Sequence, residues 1–153
     1  MTKLNIGDKA PDFVGFDQDG NSIKLSDFAG SKLILYFYPK DNTPGCTNEA
    51  CNLRDNYQMW MEKGYKIIGV SPDSQASHQK FIAKHDLPFP LIADTGKKII
   101  KDYGAWGPKK LYGREYEGLL RSTFVINEEG VVEQVFMKVK TKDHTNQILE
   151  TIK

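Results

Sequence analysis

Residues 32–51 read KLILYFYPKDNTPGCTNEAC, and this stretch decides the fold. Its first seven residues form a near-continuous apolar run rich in β-forming residues, which is typical of a strand covered on both faces. Thr43 is a residue type that caps helices, and Pro44 suits the first helical position. The stretch therefore predicts a central buried strand that leads through a short loop into a helix, with Cys46 in its first turn.

Periodic segments in the rest of the chain predict an alternation of strands and helices. The spacing of Leu53, Tyr57, Trp60 and Met61 predicts one helix of about five turns from Cys46 to Gly64. Other strands are predicted at 66–71, 91–93, 122–127 and 131–139, and other helices at 74–85, 97–103 and 143–152. Residues 12–17 and 22–25 predict an N-terminal hairpin, and residues 105–118 predict a long surface loop. This order predicts a thioredoxin-like α/β fold, with a central mixed sheet flanked by helices.

Composition limits the classes of partner. The length and the lack of linkers predict one domain over residues 1–153. Lys and Arg number 21 against 20 for Asp and Glu, so a net charge of +1 provides no long-range attraction to nucleic acid or to anionic membranes. The N-terminal residues include no apolar run typical of a signal peptide. We therefore expect a cytoplasmic protein that binds neither nucleic acid nor membrane.

The two cysteines differ in their expected environments. Backbone N–H groups and the helix dipole favour negative charge at Cys46, and a thiolate is the form that attacks an oxidant. Cys51, five residues later, has no helix end beside it and is expected to behave as an ordinary thiol. In an intact helix their Cα atoms would be about 8.6 Å apart, whereas a disulfide needs less than about 7 Å. A bond between them therefore requires the first turns of the helix to unwind.

If the oxidant is a peroxide, charge gathers on the leaving oxygen when the O–O bond breaks. Hydrogen-bond donors are then needed near the attacking sulfur. The Thr43 hydroxyl and first-turn amides are candidate donors, and Arg121 is the candidate guanidinium, although spacing leaves Arg54 and Arg114 open. No redox cofactor is needed. The two cysteines and the three histidines make no recognised zinc pattern, so no metal is predicted. His78 and His85 are interpreted as solvated or capping residues of their helix.

The pattern Pro39-xxx-Thr43-xx-Cys46 is similar to the peroxiredoxin active-site pattern. The fuller TPGCTNEAC resembles that of the Q-type peroxiredoxins, or bacterioferritin comigratory proteins, and the resemblance extends to GDKAPDF at 7–13, LPFPLIAD at 87–94 and RSTFVI at 121–126. It implies that Cys46 is the peroxidatic cysteine and Cys51 the resolving one.

The same resemblance implies a pocket formed by Pro39, Thr43 and Arg121, with a secondary, structural role for Glu49. It implies a peroxidase that reduces hydrogen peroxide and organic hydroperoxides to water and alcohols. The expected reductant is thioredoxin, and the expected state is a monomer.

Two other functions compete with the peroxidase. The thioredoxin-like order suggests a thiol-disulfide oxidoreductase, although such enzymes usually carry a CxxC motif, which this chain lacks. A non-catalytic redox sensor is the second alternative, in which oxidation of Cys46 unwinds the helix and changes a partner surface.

Overall fold

A five-stranded mixed sheet forms the centre of the computed structural model, which describes residues 4–152 apart from the side chain of Leu111. The strands in chain order are β1 Val14–Phe16, β2 Ser22–Lys24, β3 Lys32–Phe37, β4 Tyr65–Ser71, β5 Leu91–Ala93, β6 Trp106–Leu111, β7 Arg114–Leu119, β8 Ser122–Ile126 and β9 Val132–Phe136. The helices are α1 Pro44–Asp55, α2 Tyr57–Glu62, α3 Gln75–His85, α4 Lys98–Asp102 and α5 His144–Leu149.

The sheet order is β5-β4-β3-β8-β9. Strands β3, β4 and β5 are parallel, whereas β8 and β9 are antiparallel to their neighbours. Strand β3 is therefore the central strand, as the apolar run predicted. The mixed sheet with flanking helices confirms the predicted fold class, and the pair β1–β2 confirms the N-terminal hairpin.

Strand β3 is apolar on both faces because both faces are covered. Leu33, Leu35 and Phe37 pack into one hydrophobic cluster, which includes Ile99 and Ile100 of α4. The alternate residues Ile34, Tyr36 and Tyr38 pack into a second cluster, which is completed by side chains of α1, α2, α3 and α5. Side chains alternate across a strand, so a strand between two helical layers has no polar face.

The predicted helix from Cys46 to Gly64 is wrong in its continuity, whereas its start agrees with the one that Thr43 and Pro44 predict. Helix α1 begins at Pro44, and a break at Asn56 separates it from α2. The Asn56 side chain donates to the carbonyl of Asn52 at 2.8 Å, and this carbonyl is the one to which the Asn56 N–H would donate in a continuous helix. The N–H of Asn56 instead bonds to the carbonyls of Leu53 and Arg54.

The predicted surface loop at residues 105–118 is wrong, because these residues form the antiparallel hairpin β6–β7. Tyr112 and Gly113 at its tip have φ values of 52° and 79°, the combination that a tight two-residue hairpin turn requires. Pro108 lies within β6 and favoured the loop prediction. A two-stranded ribbon accepts proline, since each of its strands is an edge.

The remaining predicted elements are present, several with shorter bounds. The last strand covers Val132–Phe136 and the last helix His144–Leu149. Residues 1–3 and 153, which the one-domain prediction includes, lie outside the described residues. Within residues 4–152, none of the helices has the length and apolar character needed to cross a bilayer.

Candidate active site

The start of α1 holds Cys46 at the third helical position. Thr43 precedes the helix with an extended backbone (φ −97°, ψ 155°), and Pro44 is the first helical residue. The Thr43 carbonyl accepts the N–H of Thr47 at 2.8 Å. Its hydroxyl does not cap the helix but donates to the carbonyl of Lys40 at 2.9 Å. Cys46 therefore lies among first-turn N–H groups that no preceding turn can satisfy.

Arg121 contacts the Cys46 sulfur directly. Nη2 of the guanidinium donates to Sγ at 3.2 Å, and Cys46 is 1% exposed. The strand register explains the meeting, because Ser122 pairs with Phe37 at the end of β3, where the chain turns toward α1. Gly45 leaves room for the guanidinium, since a Cβ there would lie 3.2 Å from Nη2. The structure thus brings Arg121 to the sulfur.

Glu49 holds the other end of the guanidinium. Its Oε1 accepts from Arg121 Nη1 at 2.8 Å, and Glu49 is fully buried while Arg121 is 22% exposed. Burial raises the pKa of Glu49 to about 7, although Arg121 acts to lower it. Burial acts to lower the pKa of Arg121, but the charges of Cys46 and Glu49 outweigh it and raise that pKa. The guanidinium therefore stays charged beside the sulfur.

The second carboxylate oxygen of Glu49 faces His144. Oε2 makes no hydrogen bond to any described residue and lies 3.7 Å from His144 Nε2. Burial lowers the pKa of His144 to about 4, so its ring is neutral at neutral pH. Gln147 Oε1 already accepts the N–H of Lys140 and faces His144 Nδ1 at 2.9 Å, so the ring proton belongs on Nδ1. Nε2 then accepts from the Thr123 hydroxyl at 2.8 Å.

Replacing Glu49 by glutamine is expected to remove a pH-dependent part of the stability. The folded pKa of Glu49 is about 7 against an ordinary 4.5, so the folded state binds the proton more tightly. Its contribution is fully present below pH 4.5 and is lost as the pH rises through 7. Urea denaturation should show the free energy of unfolding of the wild type, relative to Glu49→Gln, falling by about 3 kcal/mol over this range.

The contribution of Glu49 is obtained from the difference in free energy of unfolding between the wild type and Glu49→Gln. The lowered pKa of His144 has the opposite effect, because stability falls as the pH drops from 6.5 through about 4. That contribution is common to both proteins and cancels in the comparison. Parallel stability curves for wild type and variant would contradict the raised pKa.

Cys51 lies apart from this cluster, on the side of α1 that faces α3. Both cysteines are free, and α1 is intact between them. The sulfur of Cys51 is half-buried and lies 3.8 Å from Nδ1 of His85. Arg54, three residues later in α1, donates to the His85 carbonyl at 2.8 Å. Cys51 therefore has a polar environment that the sequence did not indicate.

The interpretation of the α3 histidines as solvated or capping is wrong for His78, which is fully buried. Its Nδ1 lies 2.7 Å from Asp41 Oδ2, and its Nε2 lies 2.9 Å from the carbonyl of Ile92. Tyr38 donates to the other oxygen of Asp41 at 2.6 Å, and the Asp41 N–H donates to Asp73 at 2.7 Å. This network, the Asp41 clamp, fixes the loop before α1 to α3 and to the end of β4.

Among the described residues, the other candidates of the sequence analysis make no hydrogen bond to the Cys46 sulfur. Pro39 is half-buried just beyond the end of β3, at the entry to the loop. Arg114 is exposed on β7, and Arg54 pairs with Asp55 at 2.9 Å. Among the three arginines left open by spacing, Arg121 is the one that the structure places on Cys46.

Sequence reasoning undervalued Glu49 and missed His144. Glu49 follows Cys46 by three residues, which places both on one face of a helix, and this spacing could have identified it. No local pattern indicates His144, since it reaches Glu49 from the opposite end of the chain. A guanidinium that contacts a buried sulfur and a buried carboxyl with a raised pKa is typical of an active site.

Comparisons with known proteins find similar chains. Residues 6–135 match the family model described as the AhpC/TSA family. The chain is 49% identical over 150 residues to peroxiredoxin Bcp of Bacillus subtilis, covering 98% of this chain and 96% of that protein. A solved bacterioferritin comigratory protein of Xanthomonas campestris, described for its alkyl peroxide reduction activity, is 36% identical with a TM-score of 0.85, over 90% of this chain and 88% of that one. A cysteine-to-serine mutant of peroxiredoxin Q from Xylella fastidiosa is 30% identical with a TM-score of 0.91, over 98% and 96% of the two chains.

Proposed function

We propose, from the premise that this chain belongs to the AhpC/TSA family and is a peroxiredoxin, that Cys46 is its peroxidatic cysteine and Cys51 its resolving cysteine. Peroxiredoxins are thiol-dependent peroxidases, so the chain is an oxidoreductase that reduces hydroperoxides. The observation that carries the assignment is the contact of the Arg121 guanidinium with the Cys46 sulfur at 3.2 Å. A fixed cation there stabilises a thiolate and can also donate to a bound peroxide.

In the first step the Cys46 thiolate attacks one oxygen of the hydroperoxide. A sulfur–oxygen bond forms, the O–O bond breaks, and the peroxide proton goes to the departing oxygen, which leaves as water or alcohol. Cys46 is left as a sulfenate, which takes a proton from water to give the sulfenic acid. Arg121 and the amides at the start of α1 face the charge that develops. Thr43 and Pro39 form part of the substrate pocket on the loop before α1. The Thr43 hydroxyl holds this loop in place by its hydrogen bond to the Lys40 carbonyl. The substrates are hydrogen peroxide and organic hydroperoxides, the latter in line with the Xanthomonas relative.

In the second step Cys51 attacks the Cys46 sulfenic acid. A disulfide forms and hydroxide leaves as water, taking up the proton of the Cys51 thiol. The first turns of α1 must unwind for this step, because an intact helix holds the two residues too far apart. Gly45, next to Cys46, is a poor helix former and favours this unwinding.

A dithiol reductant then restores the enzyme, and thioredoxin is the partner that fits an intramolecular disulfide of this kind. The protein works as a cytoplasmic monomer without a resident cofactor or metal, since sulfur alone carries the electrons. Its net charge of +1 fits a small neutral or weakly charged substrate rather than nucleic acid or membrane.

The test combines rapid mixing with mass spectrometry. Reduced wild-type protein is mixed with one equivalent of hydrogen peroxide or of an alkyl hydroperoxide, quenched with an alkylating reagent and digested. We expect a Cys46–Cys51 disulfide in the wild type. In Cys51→Ser we expect a sulfenic acid at Cys46 that a dimedone probe traps, formed at the wild-type rate.

The outcomes separate this function from its competitors. Oxidation of Cys46 no faster than that of free cysteine would contradict the peroxidase assignment. Reduction of insulin faster than turnover of peroxide would favour a thiol-disulfide oxidoreductase instead. Thioredoxin held reduced by its own reductase should sustain multiple turnovers of the wild type but not of Cys51→Ser.

A further inference from the structure

Cys51 and His85 form a thiol–imidazole pair that the peroxide-reducing step does not use. The Cys51 sulfur lies 3.8 Å from Nδ1 of the ring, within reach of a hydrogen bond to sulfur. The other ring nitrogen, Nε2, is buried and has no hydrogen-bond partner among the described residues. The thiol is therefore the polar side chain that the structure places against this imidazole.

The pair is held by contacts that lie beyond the turn that must unwind. His85 is the last residue of α3, and its carbonyl accepts from Arg54 Nη1 at 2.8 Å. Arg54 is itself oriented by Asp55, which accepts from its Nε at 3.0 Å and Nη2 at 2.9 Å. These contacts tie the second half of α1 to the end of α3. Cys51 can thus stay beside His85 while Cys46 moves toward it.

The charges around His85 favour a neutral ring, which is the form that can accept a proton. Burial, Lys84 and Arg54 all lower the pKa of His85, so the neutral imidazole is the main form near pH 7. The charged and titratable groups around the pair include Cys51, Arg54 and Asp55 from α1 and Lys84 and Asp86 from the end of α3. Phe81 packs edge-on against the ring at 5.2 Å between centroids and shields it from water.

We propose that His85 is the general base of the disulfide-forming step, in which it removes the thiol proton of Cys51. The proposal rests on the proposed function, with Cys46 as the oxidised sulfur. His85 Nδ1 takes the proton, the Cys51 thiolate attacks the Cys46 sulfenic acid, the sulfur–sulfur bond forms and the sulfur–oxygen bond breaks. The leaving hydroxide takes the proton back from the imidazolium and departs as water, so atoms and charge balance. His85 contacts a reacting atom and acts in the second step only.

The test measures the two steps separately in reduced protein. Stopped-flow fluorescence with varied hydrogen peroxide gives a second-order phase for Cys46 oxidation and a first-order phase for disulfide formation, with quenched samples identified by mass spectrometry. In His85→Gln we expect an unchanged second-order phase and a first-order phase slower by about 10²-fold. Lys80→Gln, an exposed change on the same helix, is the matched control and should leave both phases unchanged.

A second variant separates chemistry from packing. In His85→Ala, added imidazole should restore disulfide formation in proportion to its concentration and as its neutral form, which a purely structural role of His85 would not predict. Wild-type rates of disulfide formation in His85→Gln would overturn the proposal, as would a slow His85→Ala that imidazole does not restore. If wild-type Cys46 is not oxidised at all, the proposed function fails instead, so the two failures are distinguishable.

Discussion

Cys46→Ser is expected to abolish the thiol-dependent consumption of hydroperoxide. A serine hydroxyl is far less acidic than a thiol and is not oxidised by peroxide, so the first step has no nucleophile. The fold should survive the change, because serine is of similar size and its oxygen can still accept from Arg121. The measurement is peroxide consumption with excess dithiothreitol, compared with the wild type at equal concentration.

Two controls make this result specific. Thermal denaturation of Cys46→Ser should resemble that of the wild type, which excludes unfolding as the cause of inactivity. When no thiol is added, Cys51→Ser should still consume one equivalent of peroxide per chain, since it lacks only the second thiol. Turnover by Cys46→Ser above the background of the buffer would show that another group attacks the peroxide.

Arg121→Gln is expected to damage both catalysis and stability. The change removes the donor that lies 3.2 Å from the Cys46 sulfur, and the second-order rate of Cys46 oxidation should fall by about 10²-fold. It also leaves the buried Glu49 without its cation, which should cost about 3 kcal/mol of unfolding free energy where the carboxyl is ionised. Because the pKa of Glu49 is about 7, this cost should be larger at pH 8 than at pH 5.

The pH dependence and a double variant show whether the unpaired charge of Glu49 causes the loss of stability in Arg121→Gln. Glu49→Gln combined with Arg121→Gln should recover much of the lost stability, since neither a buried charge nor its partner remains, but it should not recover the rate. Arg114→Gln removes an exposed guanidinium from β7 and is the matched control for net charge. Equal oxidation rates in Arg121→Gln and Arg114→Gln would contradict the role of Arg121.

An element could be predicted from the sequence where burial sets the pattern of its apolar residues. Strand β3 could be predicted because helices cover both of its faces, so its residues are apolar without interruption. The start of α1 could be predicted from Thr43 and Pro44. The hairpin β6–β7 could not, because most of β7 is exposed and its residues carry no alternating apolar signal. The break at Asn56 depends on one side-chain hydrogen bond to Asn52, which periodicity does not register.

The site was predictable where motif and helix geometry coincide and not where distant segments meet. Cys46 and Cys51 lie in one helix. Arg121 lies in the motif at 121–126, and the pairing of β3 with β8 brings it to Cys46. His85 approaches Cys51 from α3, and His144 approaches Glu49 from α5, and both approaches are properties of the tertiary structure. The burial of His78 likewise depends on Asp41, far away in the sequence.

The Asp41 clamp and the Arg54–His85 hydrogen bond lie on either side of the reactive turn. They anchor the chain just before residue 42 and just after Cys51, so residues 42–50 form a tethered segment with fixed ends. We expect disulfide formation at Cys46 to change the conformation of this segment, because the helical turns between its fixed ends must unwind. A partner that distinguishes the oxidised enzyme from the reduced one would then have to contact residues 42–50.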